Sequence, residues 1–217
     1  SFEVPRRQIV CLIGESGSGK SVTASAVMRL LSESLRIVGG RIVLDGEVLT
    51  EASADRLCEL RGSRMAMVFQ EPLTALNPVM RVGQQIAEVL RIHKPGMSVA
   101  AVNARVIELM TDVRLPNPEV LAKSYPHQIS GGQRQRIMIA MALALEPALI
   151  IADEPTTALD VTTQANILRL FRELLTRHNS GVLLITHDFG VVSDVADQVV
   201  VMRHGRVVER GRPEQVL

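Results

Sequence analysis

The 217-residue chain has no tryptophan, one tyrosine, four phenylalanines and two cysteines. So few rings leave little with which to stack on unpaired bases, which removes a main support for single-strand nucleic-acid binding. Cys11 and Cys58 stand far apart and make neither a metal-ligand cluster nor a disulfide framework, which points to a reducing, cytoplasmic compartment and to Cys11 as plain core. Neither sign of charge is in excess: 24 Lys+Arg against 23 Asp+Glu give a net +1. The electrostatic footprint of a nucleic-acid or anionic-membrane binder is therefore missing, and no nucleic-acid partner is expected. A long apolar run is lacking too. IMIAMALALEPALIIA, residues 137–152, is divided by Glu146 and Pro147 into pieces too short to cross a bilayer, and reads as buried helix, turn and buried strand. The opening SFEVPRRQ shows no signal-peptide pattern.

What is present suffices for one α/β domain with a proper core, or such a core plus a small lobe. QIVCLIG (8–14) is an apolar run ending in glycine, and helical character follows from Gly19 to Leu31. RIVLDGEVL (41–49), with its Asp-Gly dipeptide between apolar arms, predicts a hairpin, and RMAMVFQ (64–70) a further strand. Between residues 71 and 146, prolines at 72, 78, 95, 116, 118 and 126 separate helical segments such as VAAVNARVIELM, which predicts a helical lobe. Strands return as ALIIADE (148–154), GVLLIT (181–186) and DQVVVM (197–202), with the amphipathic helix QANILRLFRELL between the first two. Apolar strands alternating with helices imply a largely parallel sheet covered on both faces. Ligands of such sheets bind beyond the carboxyl ends of the strands, here just after Ile13, Phe69, Ala152 and Thr186.

Functional residue types gather at those ends. GESGSGKS (14–21) fits G-x-x-x-x-G-K-[ST] between a strand and a helix. Gly14, Gly17 and Gly19 let the backbone curl so that its N–H groups and the following helix N-terminus face phosphate oxygens. Lys20, one of only three lysines, would reach the β and γ phosphates, and Ser21 would ligate Mg²⁺. The alternative is a Gly/Ser-rich surface loop. At the end of ALIIADEP, Asp153 is placed to hold Mg²⁺ through its water, and Glu154, one step nearer the mouth, to polarise an attacking water. Taken alone, the pair could equally cap the turn before Pro155. Gln70 and His187 end two other strands; each singly is as readily a turn former, and their value lies in sharing one edge. His187 could hydrogen-bond the γ-phosphate, and Gln70 could meet the metal or the water through its amide oxygen. His93, His127, His178 and His204 have no partner spacing and read as surface or packing residues.

YPHQISGGQRQR (125–136) admits two readings. Ser130 with Gln133 three residues on is a capping box. Gly131 and Gly132 then occupy the first helical positions, where each is less favourable than alanine by about 1 kcal/mol, so something further is expected to want their missing side chains.

Taken in order, GESGSGKS, Gln70, ISGGQ, LIIADEP, TALD (157–160) and His187 resemble the Walker A, Q-loop, signature, Walker B, D-loop and switch histidine of an ATP-binding cassette (ABC) transporter's nucleotide-binding domain. FQEPLTALNP and YPHQISGGQRQRIMIAMAL are similar to the ATPase subunits of peptide and nickel importers. The resemblance implies a P-loop NTPase fold: a largely parallel sheet flanked by helices, a small antiparallel β part, and an inserted helical subdomain (71–146) between core segments 1–70 and 147–217. It implies ATP and Mg²⁺ as cofactors. Gly14, Glu15, Ser16, Gly17, Ser18, Gly19, Lys20, Ser21 and Val22 contact the nucleotide. Ser21, Gln70 and Asp153 serve the metal, and Glu154, His187 and Gln70 serve catalysis. Ser130, Gly131, Gly132, Gln133 and Asp160 join the nucleotide-binding set, the signature from across a head-to-tail pairing with a second such domain, identical or not. Membrane permease subunits, and indirectly a solute-binding protein, are the implied partners, at the cytoplasmic face of the membrane.

There are departures. The aromatic strand that stacks on adenine upstream of Walker A is not seen, with Ser1 only thirteen residues before Gly14, and the chain stops at Leu217, so a piece trimmed at both ends is expected. Ile129 stands where the family usually has leucine. A non-transport cassette in DNA repair or translation is the alternative, disfavoured by neutral charge and by the absence of a coiled-coil insertion or zinc-type cysteines. A P-loop kinase or GTPase would need an acceptor pocket or an NKxD motif, and neither is visible.

Overall fold

The computed structural model describes residues 1–156 and 160–217, without the side chains of Pro72, Leu73, Val161 and Thr176. Thr157, Ala158 and Leu159 of TALD thus lie outside the described residues. The strands are β1 (Ile9–Ile13), β2 (Val43–Leu44), β3 (Glu47–Val48), β4 (Met65–Val68), β5 (Leu149–Asp153), β6 (Gly181–Ile185), β7 (Gln198–Arg203) and β8 (Arg206–Gly211). The helices are α1 (Lys20–Val27), α2 (Ala54–Leu60), α3 (Pro72–Ala75), α4 (Val82–His93), α5 (Val99–Asp112), α6 (Pro118–Leu121), α7 (Gly131–Leu143), α8 (Val161–His178), α9 (Phe189–Val195) and α10 (Pro213–Val216).

The apolar runs become a sheet ordered β4-β5-β6-β1-β7-β8. All neighbours in it pair in parallel except the β7–β8 hairpin, which is antiparallel. β1 is buried along its length, and its side chains alternate between two cores. Ile9, Cys11 and Ile13 join α4, α5, α7, α8 and α9 on one face, whereas Val10 and Leu12 join Ala24, Met28, Leu57 and Leu60 of the α1 and α2 region on the other. A strand buried on both faces cannot show polar alternation, so its sequence is a continuous apolar run. Cys11 is buried as expected. Burial also pushes its thiol up to about 12, so it stays protonated at neutral pH.

The Asp-Gly hairpin forms as read: Asp45 (φ 48) and Gly46 (φ 86) both take left-handed backbone between β2 and β3, the requirement of a type I′ turn. Two readings are corrected. The first helix ends at Val27 rather than Leu31, because the chain turns at Arg29 (φ 55). Arg61 then donates from Nε to the carbonyl of Met28 (3.0 Å) and from Nη2 to that of Arg29 (2.9 Å), supplying donors to the helix end from a distant segment. The second concerns β8, an exposed edge strand with no apolar pattern that the sequence reading did not anticipate.

Residues 71–146 are helical, and their apolar faces merge with the sheet's. Leu109 and Met110 of α5 and Ile137 and Ile139 of α7 belong to the same buried cluster as Ile9 and Val182. Gln85, buried inside this region, accepts from the N–H of Asn77 and donates to the carbonyls of Asn77 and Met80, which satisfies its amide and pins the chain that follows Gln70. Leu109→Ala should destabilise the chain by about 3 kcal/mol, read as a lower urea midpoint. A loss under about 1 kcal/mol would mean that Leu109 is not part of the shared core.

Candidate functional site

The loop from β1 to α1 is shaped by close approach and by backbone sign. A Cβ on Gly14 (φ 151) would lie 2.2 Å from the carbonyl oxygen of Met202 in β7 and 2.8 Å from Ser18 Oγ, so no side chain fits. Gly17 (φ 77) and Gly19 (φ 99) take backbone that other residues rarely adopt. Gly19 is the N-cap of α1 and offers no side-chain bond to it, leaving the helix N-terminus facing the loop. Lys20 is 7% exposed, and its Nζ donates to the carbonyls of Gly14 (2.7 Å) and Glu15 (3.0 Å). The Gly205 N–H, from the β7–β8 turn, donates to the carbonyl of Ser18 (3.0 Å). That bond gives the unanticipated β8 hairpin a role as a brace for the phosphate loop. Its sequence signal was the His-Gly pair at 204–205, whose φ values of 48 and 75 repeat the hairpin-turn pattern of Asp45-Gly46.

The second half of the site is the end of β5. Asp153 is partly buried and hydrogen-bonded to Ser21, and desolvation raises its carboxyl above the usual carboxylate range, with the charge of Glu154 adding to the effect and Ser21 and Lys20 opposing it. Its Oδ1 is buried without a hydrogen-bond partner among the described residues. An orphaned carboxylate oxygen beside a serine hydroxyl offers oxygen ligands of the kind that fit a hydrated divalent cation.

Glu154 takes left-handed backbone (φ 45), a conformation that costs a non-glycine residue about 1 kcal/mol or more. The contacts that hold it include these: its N–H donates to the carbonyl of Ile185 (2.9 Å), His187 Nδ1 lies 3.1 Å from Oε1, and Gln70 Nε2 donates to Oε2 at 3.3 Å. A carboxylate only accepts, so Nδ1 carries the proton in that contact. The Glu154 side chain is 19% exposed and that of His187 63%, which puts the carboxylate inside and the imidazole at the mouth. Asp188 next to it caps α9, accepting from the N–H groups of Gly190 and Val191, and is tied to α8 by Gln164.

These elements enclose a cleft of about 610 Å³ lined by Ser16, Gly17, Gly19, Lys20, Ser21, Val22, Gln70, Glu154 and His187. Gly14, Glu15 and Ser18 build the loop behind that lining, and Asp153 meets it through Ser21. The signature residues do not line the cleft. Ser130 caps α7, its Oγ accepting from the Gln133 N–H (3.3 Å) while Gln133 Oε1 accepts from the Ser130 N–H (3.0 Å), so the capping box is real. Asp160 likewise caps α8, accepting from the Thr163 N–H at 3.0 Å. These hydrogen bonds to backbone and side chain hold its carboxyl below the usual range. Within one chain, then, the predicted residues fall into two sets: the cleft, and the paired helix starts of α7 and α8.

A family model described as ABC transporter matches residues 1–157. The chain belongs to that family. The cassette is 49% identical over 211 residues, 97% of its length, to the oligopeptide transport ATP-binding protein OppD of Lactococcus lactis subsp. cremoris. It is 48% identical to the glutathione import ATP-binding protein GsiA of Escherichia coli, across 100% of this chain and 36% of that protein. It spans 62% of the OppD chain, so these relatives carry more protein than the cassette. Among solved structures, it matches a dimeric ATP-binding cassette in a post-hydrolysis state bound to ADP and Pi, with a TM-score of 0.85 and 28% identity, over 98% of this chain and 88% of that one. No helix among the described residues is long and apolar enough to cross a membrane.

The raised carboxyl of Asp153 fixes the sign of a stability effect. An acid whose folded-state value is raised contributes stability that is present below the unfolded value, about pH 4, and is lost as pH rises through the raised value. Asp153→Asn should therefore raise the Tm of the nucleotide-free cassette at pH 7 by scanning calorimetry, with the gain shrinking toward pH 4. An unchanged or lower Tm at pH 7 would show that burial of this carboxylate costs the fold nothing.

Proposed function

We propose that this chain is the ATP-binding and ATP-hydrolysing domain that powers import of peptides or a related small solute through membrane permease subunits. The observation that carries this is the convergence of a buried lysine, a serine–aspartate pair and a clamped glutamate on one cleft behind a curled glycine loop. In the proposed assignment the loop backbone and Lys20 hold the phosphates. Ser21, Asp153 and Gln70 hold Mg²⁺, which would neutralise charge on the β and γ oxygens. Glu154, with His187 at its side, orients water for attack on the γ-phosphorus and draws its proton as the bond to ADP breaks.

The same reading assigns Ser130, Gly131, Gly132 and Gln133, together with Asp160, to the nucleotide of a second cassette. Their position outside the cleft supports that assignment, as does the dimeric form of the structural neighbour. Residues 1–70 and 147–217 would act as the catalytic core and 71–146 as the lobe that carries closure to the permease, at the cytoplasmic face of the membrane. The peptide and glutathione importers among the relatives support a solute of that kind, with a solute-binding protein acting upstream. No observation favours a role on nucleic acid: the net charge is +1.

Glu154→Gln should bind ATP with unchanged affinity, lose on the order of 10²–10⁴-fold in turnover, and accumulate as an ATP-bound dimer in size-exclusion chromatography. Retention of ordinary turnover would remove Glu154 from the catalytic role. Lys20→Ala should instead lose nucleotide affinity by equilibrium binding, and unchanged affinity would remove Lys20 from the phosphate site.

A further inference from the structure

Gly132 is the second residue of α7, and its missing side chain has a use inside its own chain. A Cβ at this position would lie 2.8 Å from Cγ2 of Thr163, closer than side-chain carbons approach one another. Thr163 stands in the first turn of α8, three residues after the cap Asp160. It has little room to yield. Branching at Cβ stiffens its χ1. Its N–H donates to Asp160 Oδ1 at 3.0 Å, and its side chain hydrogen-bonds the same residue.

The other side of the contact is held as well. The capping box fixes the start of α7. One turn on, Arg134 Nε donates to the carbonyl of Pro126 (2.6 Å) and Arg136 Nη1 to that of Val113 (2.7 Å). The two capped helix starts thus lie against each other at the Thr163 methyl group, which stands beside the place that a side chain on residue 132 would take.

We propose that Thr163 is a positioning residue for the signature motif. Its methyl group sets the separation between the N-terminus of α7 and the cap of α8, so ISGGQ and the end of TALD are presented as one rigid unit. The inference rests on the ATPase reading above and adds to it a residue outside every motif. Glycine at 132 is then required by packing within the chain, before any nucleotide is considered.

Helix propensity and this packing predict opposite signs for Gly132→Ala. Propensity alone favours alanine in a helix, so a glycine kept only for a ligand would give a nucleotide-free variant of higher Tm. Packing against Thr163 predicts instead a Tm lower by about 3 °C. It also predicts a kcat lower by about tenfold at unchanged ATP affinity. Thr163→Ser removes the methyl and keeps both the hydroxyl and the N–H bond to Asp160. The double variant Gly132→Ala/Thr163→Ser should therefore regain the Tm and kcat of Thr163→Ser alone. A raised Tm in Gly132→Ala, or a double variant no more active than Gly132→Ala, would overturn the inference. If the unsubstituted chain turned over no ATP, the ATPase reading would fail instead, and the two Tm comparisons would still decide the packing.

Discussion

The carbonyl oxygen of Met202 stands 2.2 Å from where a Cβ on residue 14 would have to be, and the whole site depends on the chain passing through that gap. β1 is inserted between β6 and β7, so its carboxyl end emerges with neighbours on both sides. Only glycine lets the backbone leave the strand by grazing β7, turn through Gly17 and Gly19, and enter α1 with the helix N-terminus aimed back over the strand ends. From there the partners follow by register. Ala152 lies opposite Leu184 and Asp153 opposite Ile185, so the ends of β5 and β6 deliver Asp153, Glu154 and His187 to the same edge.

That geometry sets charge against burial. Asp153 is held where desolvation opposes its ionised form, with one oxygen lacking a hydrogen bond among the described residues, and Glu154 is held in backbone that an ordinary side chain avoids. Both are costs to the fold of the kind that gather where chemistry is done. The surrounding structure meets them with apolar strands paired on both sides and with contacts from Ile185, His187 and Gln70 that help to fix Glu154.

What could be read from the sequence was whatever repeats locally or sits at a strand end. The apolar runs announced the strands of the main sheet, Asp45-Gly46 the separate β2–β3 hairpin, and GESGSGKS the loop, because each depends on neighbours within a few residues. The end of α1 was not legible, since the carbonyls beyond it are met by Arg61, which reaches back across 33 residues to Met28. β8 was missed because an exposed edge strand carries no apolar period, although the His-Gly turn before it repeats the signal of the first hairpin. The Gly132–Thr163 contact was beyond reach for the same reason as Arg61: nothing within either segment announces the other.

The capping box at ISGGQ and the proposed phosphate cradle would use different atoms. The capping box occupies the N–H of Ser130 and the N–H of Gln133, each with the other residue's side chain. It does not involve the N–H groups of Gly131 and Gly132, which lie between them at a helix N-terminus where the backbone dipole favours an anion. Capping therefore fixes the turn without using the N–H groups in the middle of it. The glycines themselves then divide: Gly131 is exposed at the tip, and Gly132 is half-buried against Thr163. One of the two absent side chains is accounted for by this chain's own packing. The proposed second phosphate is needed to account for only the other.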